Sequence, residues 1–157
     1  MMKYLLAVDL GIRTGLALYE ETAGLQWYRS QNYGSSARLR RAVHGLIGEL
    51  RGLEHIVIEG GGPLADIWQR EAQKRGIRVM VTGAEAWRKA LLYPRVRRTG
   101  TEAKQGAQEL ARRVIELSGT APRPTSLRHD AAEAILIGLW GTMEVGWLSR
   151  LPDALRK

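Results

Sequence analysis

Short apolar runs alternate with longer amphipathic segments along the chain. The first three runs are Lys3–Val8, Leu16–Tyr19 and Leu25–Gln31, and Gly11 and Gly15 between the first two indicate a tight reversal. Because the first run is apolar at almost every position, it is typical of a buried strand. The three runs together predict an antiparallel meander that opens the fold.

The rest of the chain predicts helices that alternate with two further strands. Apolar residues three and four positions apart indicate amphipathic helices, and short β-branched runs indicate strands. The predicted elements are a helix from a cap at Ser35 or Ser36 to Leu50, a strand His55–Glu59, a helix Pro63–Arg75, a strand Ile77–Val81, a helix Ala84–Leu92, a helix from a cap at Thr99 or Thr101 through Val114, and a last helix from about Leu127 through Trp140. An exposed loop at 94–100 and a proline-containing linker at 122–124 separate the later helices. This order predicts an α/β fold with a five-stranded mixed sheet and helices on both faces.

The length and composition indicate one globular domain. We expect residues 1–145 to form it and residues 146–157 to be a C-terminal tail, in a chain of 157 residues that is 45% hydrophobic and 25% charged. No apolar run approaches the roughly 20 residues of a membrane span, and Asp9 interrupts the stretch that a secretory signal would need. The absence of cysteine excludes a disulfide, a thiolate nucleophile and a cysteine zinc site. These features predict a cytoplasmic protein without a membrane partner.

The charge is positive and unevenly distributed. The formal net charge is +8, which suits a polyanionic partner such as nucleic acid. Between positions 88 and 104 the only acid is Glu102, and Trp87 and Tyr93 offer flat faces for bases or sugars. The basic residues that we predict to contact DNA are Arg88, Lys89, Arg95, Arg97, Arg98 and Lys104. The alternative is a solvated basic loop with Trp87 in the core.

Four carboxylates are placed where they can meet at one edge of the predicted sheet. Asp9 ends the first strand and Glu59 ends the fourth, each after an apolar run. Functional groups gather beyond the carboxyl ends of parallel strands in open α/β sheets, so these two side chains share a crevice if their strands are parallel neighbours. Asp130 and Glu133 are three residues apart and therefore lie on one face of the last helix. Convergence of all four residues would create an acidic cluster.

Such a cluster repels itself unless it holds a cation. Ligands that are all oxygens favour hard ions, and two such ions ~4 Å apart can hold a phosphodiester, activate water and stabilise the leaving oxygen. We therefore predict two Mg²⁺ (or Mn²⁺) ions per active site and no small-molecule cofactor. Each acid also has a simpler interpretation: Asp9 can shape a turn, Glu59 can cap the next helix, and Asp130 and Glu133 can satisfy the first turn of theirs.

The order of the motifs resembles that of a nuclease family. The segments "AVDLGIRTGLALY", "IVIEGGG", "EAKQGA" and "RHDAAEAILIGLW" resemble the RuvC-like Holliday junction resolvases of the ribonuclease H-like superfamily, over roughly residues 4–141. The resemblance implies a ribonuclease H-like fold. The metal-binding acids that it implies are Asp9, Glu59, Asp130 and Glu133. It also implies that Lys104 contacts the scissile backbone, where an ammonium would neutralise phosphate as a point charge; the alternative is a solvated helix residue.

One ligand position is open between two residues. Members of this family more often have aspartate or histidine where this chain has Glu133. His129 is therefore a second candidate for a metal ligand, or a proton shuttle. Capping of the helix and contact with phosphate are its other interpretations.

The resemblance implies a crossover junction endodeoxyribonuclease that acts on branched DNA as a homodimer. It would resolve four-way junctions by paired symmetric nicks that leave 5′-phosphate and 3′-hydroxyl ends. The apolar Trp140, Trp147 and Leu148 would then form the dimer interface or complete the core of the monomer. The alternatives are a nuclease for other branched or RNA-containing DNA, and a catalytically silent nucleic-acid-binding or RNA-processing factor of the same fold. A sugar kinase or actin-like ATPase would need a second phosphate loop and a far longer chain.

Overall fold

A mixed β-sheet forms the centre of the computed structural model, which describes residues 2–92, 99–120 and 127–156. Its strands are β1 Tyr4–Asp9, β2 Arg13–Glu20, β3 Gly24–Asn32, β4 Leu53–Glu59 and β5 Arg78–Thr82. Their spatial order is β3-β2-β1-β4-β5. The pairs β1–β2 and β2–β3 are antiparallel, whereas β1–β4 and β4–β5 are parallel. The predicted five-stranded mixed sheet is therefore confirmed.

Helices connect and cover the strands in the described ranges. They are α1 Ser36–Glu49, α2 Pro63–Lys74, α3 Ala84–Leu91, α4 Gly100–Ser118 and α5 His129–Glu144, followed by a short 3-10 helix at Asp153–Leu155. α1 and α2 are the crossover connections that parallel pairing of β1, β4 and β5 requires. The hydroxyls of Ser35 and Thr99 accept hydrogen bonds from the backbone N–H groups of Arg38 and Glu102, which decides between the two candidate caps at each helix.

Successive residues of the central strands face opposite layers, so the fold has two cores. Leu6, Val8 and Ile58 are buried in the core that lies against α1 and α2. Ala7 and Val57 are buried in the core that lies against α3, α4 and α5. Helices on both faces of the sheet, as the sequence predicts, are therefore confirmed.

Gly15 allows α5 to lie against β2. The sequence places this residue in the reversal after β1, but β2 begins at Arg13, so Gly15 lies within the strand. A Cβ atom at this position would collide with the backbone carbonyl of Asp130 at the start of α5. The glycine is thus required for close approach of the helix, which brings the first turn of α5 beside the end of β1 because Gly15 pairs with Asp9.

The C-terminal residues pack back onto the core of the same chain. Leu155 is buried in the core beneath α3, α4 and α5, and Trp147 and Leu148 are partly buried against it. Trp140 is also partly buried against this core. These apolar side chains are thus used at least in part inside the monomer, the alternative to an interface role that the sequence left open.

Some sequence predictions lie outside the described residues. They concern Arg95, Arg97 and Arg98 in the basic loop, and the linker at 122–124. Within the described ranges, no helix combines the length and the apolar character needed to cross a bilayer.

Candidate active site

Two carboxylates lie side by side at the carboxyl edge of the parallel strands. Asp9 and Glu59 are register partners at the ends of β1 and β4. Ala7 and Val57, two residues earlier, face the core beneath α5. Because side chains alternate along a strand, Asp9 and Glu59 point to the same side of the sheet, toward α5.

The first turns of α5 bring a third carboxylate to this edge. Oxygen atoms of Asp9, Glu59 and Glu133 all lie within 4.8 Å of one another. Glu133 is 6% exposed, so its charge lies in a poorly solvated position. Three of the four acids predicted from the sequence therefore form a cluster, which we call the acidic cluster.

Asp130 lies next to this cluster but is held by other contacts. Ser30 Oγ, on β3, donates to Asp130 Oδ2 at 2.8 Å, and the backbone N–H of Ala131 donates to Oδ1 at 2.9 Å. Its negative charge nevertheless contributes to the field at Asp9. The structure thus brings Asp130 beside the other three carboxylates without joining it to their oxygens.

The surroundings of Asp9 disfavour the ionised form of its carboxyl group. Burial, followed by the charges of Glu133 and Glu59, a hydrogen bond with Glu59 and the charge of Asp130, raises the pKa of Asp9 from 3.8 to about 8. Desolvation and like charges both disfavour the ionised form of a carboxyl group. A carboxyl group perturbed by specific charged neighbours at a sheet edge is a candidate functional group.

Helix α3 supplies hydrogen-bond donors to two members of the cluster. Trp87 Nε1 donates to Glu59 Oε1 at 2.7 Å, and Arg88 Nη2 donates to Glu133 Oε1 at 2.9 Å. The Arg88 guanidinium also lies 5.2 Å from the centre of the Trp87 ring. The sequence predicts that Trp87 offers its face to a base or lies in the core, and the fully buried ring shows that the second is correct. The two hydrogen bonds were missed, since nothing in the spacing of α3 shows which carboxylates it will meet.

His129 lies at the outer side of Glu133. Its Nε2 is 3.1 Å from Glu133 Oε1, and its side chain is 41% exposed. Among the described residues, the acidic cluster does not include a His129 nitrogen. His129 therefore contacts Glu133 without belonging to the cluster, and its side chain is more accessible to solvent than that of Glu133.

The described lysines of the predicted DNA contact are exposed. Lys89 lies on α3 and Lys104 in the first half of α4. Gln108, one helical turn after Lys104 and so on the same side of α4, donates from Nε2 to the carbonyl of Leu127 at 3.2 Å. This contact puts that side of α4 next to the residues that lead into α5.

Comparisons with known proteins identify the fold. No family model and no curated protein matches the sequence. T. thermophilus RuvC, solved in complex with a Holliday junction substrate, is similar with a TM-score of 0.59 and 17% identity over 95% of this chain and 99% of that chain. The yeast mitochondrial Holliday junction resolvase Ydc2 is similar with a TM-score of 0.58 and 10% identity over 91% of this chain and 81% of that chain. The chain has a RuvC-like, ribonuclease H-like fold.

In this RuvC-like fold the acidic cluster lies beyond the ends of the two central parallel strands. That is the edge at which open α/β sheets bind their ligands. The coverage shows that the likeness extends over nearly the whole of this chain and of the T. thermophilus RuvC chain. At 17% identity it establishes the fold, and the chemistry has to be argued from the residues of the site.

Proposed function

We propose that this protein is a metal-dependent, structure-selective DNA endonuclease that resolves four-way junctions. The observation that carries the proposal is the meeting of Asp9, Glu59 and Glu133 at the carboxyl edge of a RuvC-like sheet. T. thermophilus RuvC was solved in complex with a Holliday junction substrate and Ydc2 is described as a Holliday junction resolvase, which supports a branched DNA substrate. Cleavage of other branched or RNA-containing DNA is a variant of the same proposal.

The donor chemistry of the acidic cluster fits divalent cations. Its three ligand groups are carboxylates, which suit Mg²⁺ or Mn²⁺ better than zinc. In this proposal Asp9, Glu59 and Glu133 hold two such ions, and Asp130 completes the site from its position beside them. When bound, ions of this kind activate water and stabilise the leaving oxygen of a phosphodiester.

Protonation of Asp9, the hydrogen bond from Ser30 and the nearby basic residues would all affect how the site binds cations and DNA. Asp9 must lose its proton before it can bind a cation, and the raised pKa makes this loss dependent on pH near neutrality. Ser30 holds Asp130 by its hydroxyl group. Lys89 and Lys104, both exposed, would neutralise phosphates of the DNA backbone, as would the basic residues at 95–98.

Cleavage of end-labelled substrates tests the proposal. A four-way junction, a replication fork, a flap and an R-loop would each be incubated with the protein and Mg²⁺. We expect paired nicks on the four-way junction. Asp9→Asn should abolish cleavage and keep junction binding, because loss of a negative charge does not weaken attraction to DNA. Asp153→Asn is the matched control, since Asp153 is exposed in the 3-10 helix near the C-terminus; cleavage by Asp9→Asn at the rate of this control would refute the metal assignment.

A catalytically silent nucleic-acid-binding module is the second candidate function. The observation in its favour is the ion pair between Arg88 and Glu133. The guanidinium of Arg88 places a positive charge beside the acidic cluster and so offsets part of its negative charge without a metal ion. Wild-type protein that binds four-way junctions, takes up no Mn²⁺ in a calorimetric titration and cuts none of the four substrates would support this candidate over the nuclease.

A further inference from the structure

Trp87 makes a polar contact that the proposed chemistry does not use. Its Nε1–H donates to Glu59 Oε1 at 2.7 Å, while its ring is fully buried in the core beneath α3. An indole N–H can only donate, so it fixes an acceptor oxygen of the carboxylate in place. One end of the side chain is thus anchored in the core and the other at the acidic cluster.

The chain connection explains why this tryptophan reaches Glu59. β5 ends at Thr82, the register partner of Glu59, and α3 begins two residues later at Ala84. Trp87 and Leu91, one turn apart, form the buried face of α3. Because α3 starts beside the end of β4, its buried face covers the core next to Glu59, and the indole edge meets the carboxylate.

Another buried tryptophan shows that this fold does not require such a bond for packing. Trp68 on α2 is also fully buried, in the core on the opposite side of the sheet. Its Nε1 has no hydrogen-bond partner in the described part of the chain. The two residues therefore differ in one respect that matters here: only the Trp87 indole holds a member of the acidic cluster.

We propose that Trp87 is a positioning residue that fixes the rotation of the Glu59 carboxylate beside Asp9 and Glu133, so that the cluster is ordered for a divalent cation. This inference rests on the proposed metal-dependent function. Side chains that hydrogen-bond a metal ligand orient it, and their loss costs about 10- to 100-fold in metal affinity or activity. The same order of effect is expected here.

Titration of Mn²⁺ into DNA-free protein tests the role without relying on cleavage. Calorimetry would be carried out on wild type, Trp87→Phe and Trp68→Phe. Both substitutions remove a fully buried indole, but only the Trp87 indole donates a hydrogen bond to Glu59. We expect Trp87→Phe to weaken Mn²⁺ binding about 10- to 100-fold and Trp68→Phe to leave it unchanged. The Mg²⁺ concentration for half-maximal junction cleavage should rise by a similar factor for Trp87→Phe alone.

A second variant separates the hydrogen bond from the shape of the ring. Replacement of Trp87 by benzothienylalanine keeps the bicyclic ring and removes the N–H, and melting curves of the metal-free proteins check that each variant is folded. Weakened Mn²⁺ binding by this variant would support the proposal. If the benzothienylalanine variant and Trp87→Phe both bind Mn²⁺ as tightly as Trp68→Phe, Trp87 is only a core residue. Wild type that neither binds Mn²⁺ nor cuts any junction would overturn the proposed function as well.

Discussion

At the scale of single residues, Asp9 links the folding of the protein to the proposed metal site. Its pKa is raised from 3.8 to about 8 by burial and by neighbouring acids. Between these values the folded, metal-free protein holds a proton that the unfolded chain has lost. The folded state then binds more protons, so this contribution to stability is complete below about pH 4, decreases as the pH rises, and is lost once the pH has passed about 8.

This linkage predicts a pH-dependent melting temperature. Between about pH 5 and pH 8, the melting temperature of the metal-free wild type should fall more steeply than that of Asp9→Asn, because the amide does not titrate. Differential scanning calorimetry of both proteins in chelator-containing buffer measures the two slopes. Both proteins contain the other titrating groups, so the difference between the two slopes reports on Asp9. Parallel curves would show that Asp9 does not titrate in this range.

A second residue-scale prediction concerns the two candidates at the start of α5. Glu133 contributes an oxygen to the acidic cluster and is 6% exposed, whereas His129 contacts Glu133 from a more exposed position. Glu133→Gln should therefore reduce the cleavage rate far more than His129→Asn, under saturating Mg²⁺ and with equal junction binding. The opposite ranking would make His129 the ligand and Glu133 the residue that orients it.

The sequence indicates some of these positions and conceals others. Asp9 and Glu59 could be predicted because each ends an apolar run, and strand ends gather at one edge of a parallel sheet. The side chains that donate hydrogen bonds to Glu59, Glu133 and Asp130 could not be predicted, because these bonds cross between elements that are distant in sequence. They are Trp87, Arg88 and Ser30 respectively. Only the tertiary arrangement of α3 and β3 reveals them.

At the scale of elements, the apolar pattern located strands and helices better than their ends. β2 begins at Arg13 rather than near Leu16, because its first residues pair with β3 although they are not all apolar. α5 continues to Glu144, beyond the predicted Trp140, because its later residues still face the core. The order of elements follows from periodicity, whereas their limits depend on pairing and packing.

The close approach of α5 to β2 gives an element-scale prediction. Any side chain at Gly15 would meet the backbone of Asp130, so Gly15→Ala should push the start of α5 from the sheet. We expect a loss of about 1–3 kcal/mol in the free energy of unfolding, as for other overpacked sites, together with weaker Mn²⁺ binding. Urea denaturation and calorimetric Mn²⁺ titration measure the two effects.

Gly45 provides the matched control for this substitution. It is exposed in α1, and a Cβ atom there would meet no other atom within 4 Å. Gly45→Ala should therefore stabilise the protein by about 0.5–1 kcal/mol, the usual gain in a helix interior, without any change in Mn²⁺ affinity. Equal behaviour of the two variants would show that α5 has room to adjust.

At the scale of the whole molecule, one chain carries one acidic cluster in its described residues, whereas a four-way junction needs two symmetrically related cuts. A homodimer with two-fold symmetry supplies two identical sites that match the approximate symmetry of the junction. Trp140, Trp147 and Leu148 are already partly buried against the core of their own chain. A dimer interface would therefore have to use other surface as well, or only the outer part of these side chains.

The dimer hypothesis predicts both a mass and a pattern of nicks. Light scattering of the junction-bound protein should give two chains per junction, and the two nicks of the wild type should lie opposite each other.

In a mixed dimer with one wild-type chain and one Asp9→Asn chain, a single active site remains, so one strand of each junction should be cut and its symmetric partner should stay intact. The mixed dimer can be isolated with two different affinity tags, and the wild-type dimer carrying the same two tags is its control. Protein that remains a monomer on the junction, or paired nicks from the mixed dimer, would contradict action by two identical sites while leaving the chemistry of each site unaffected.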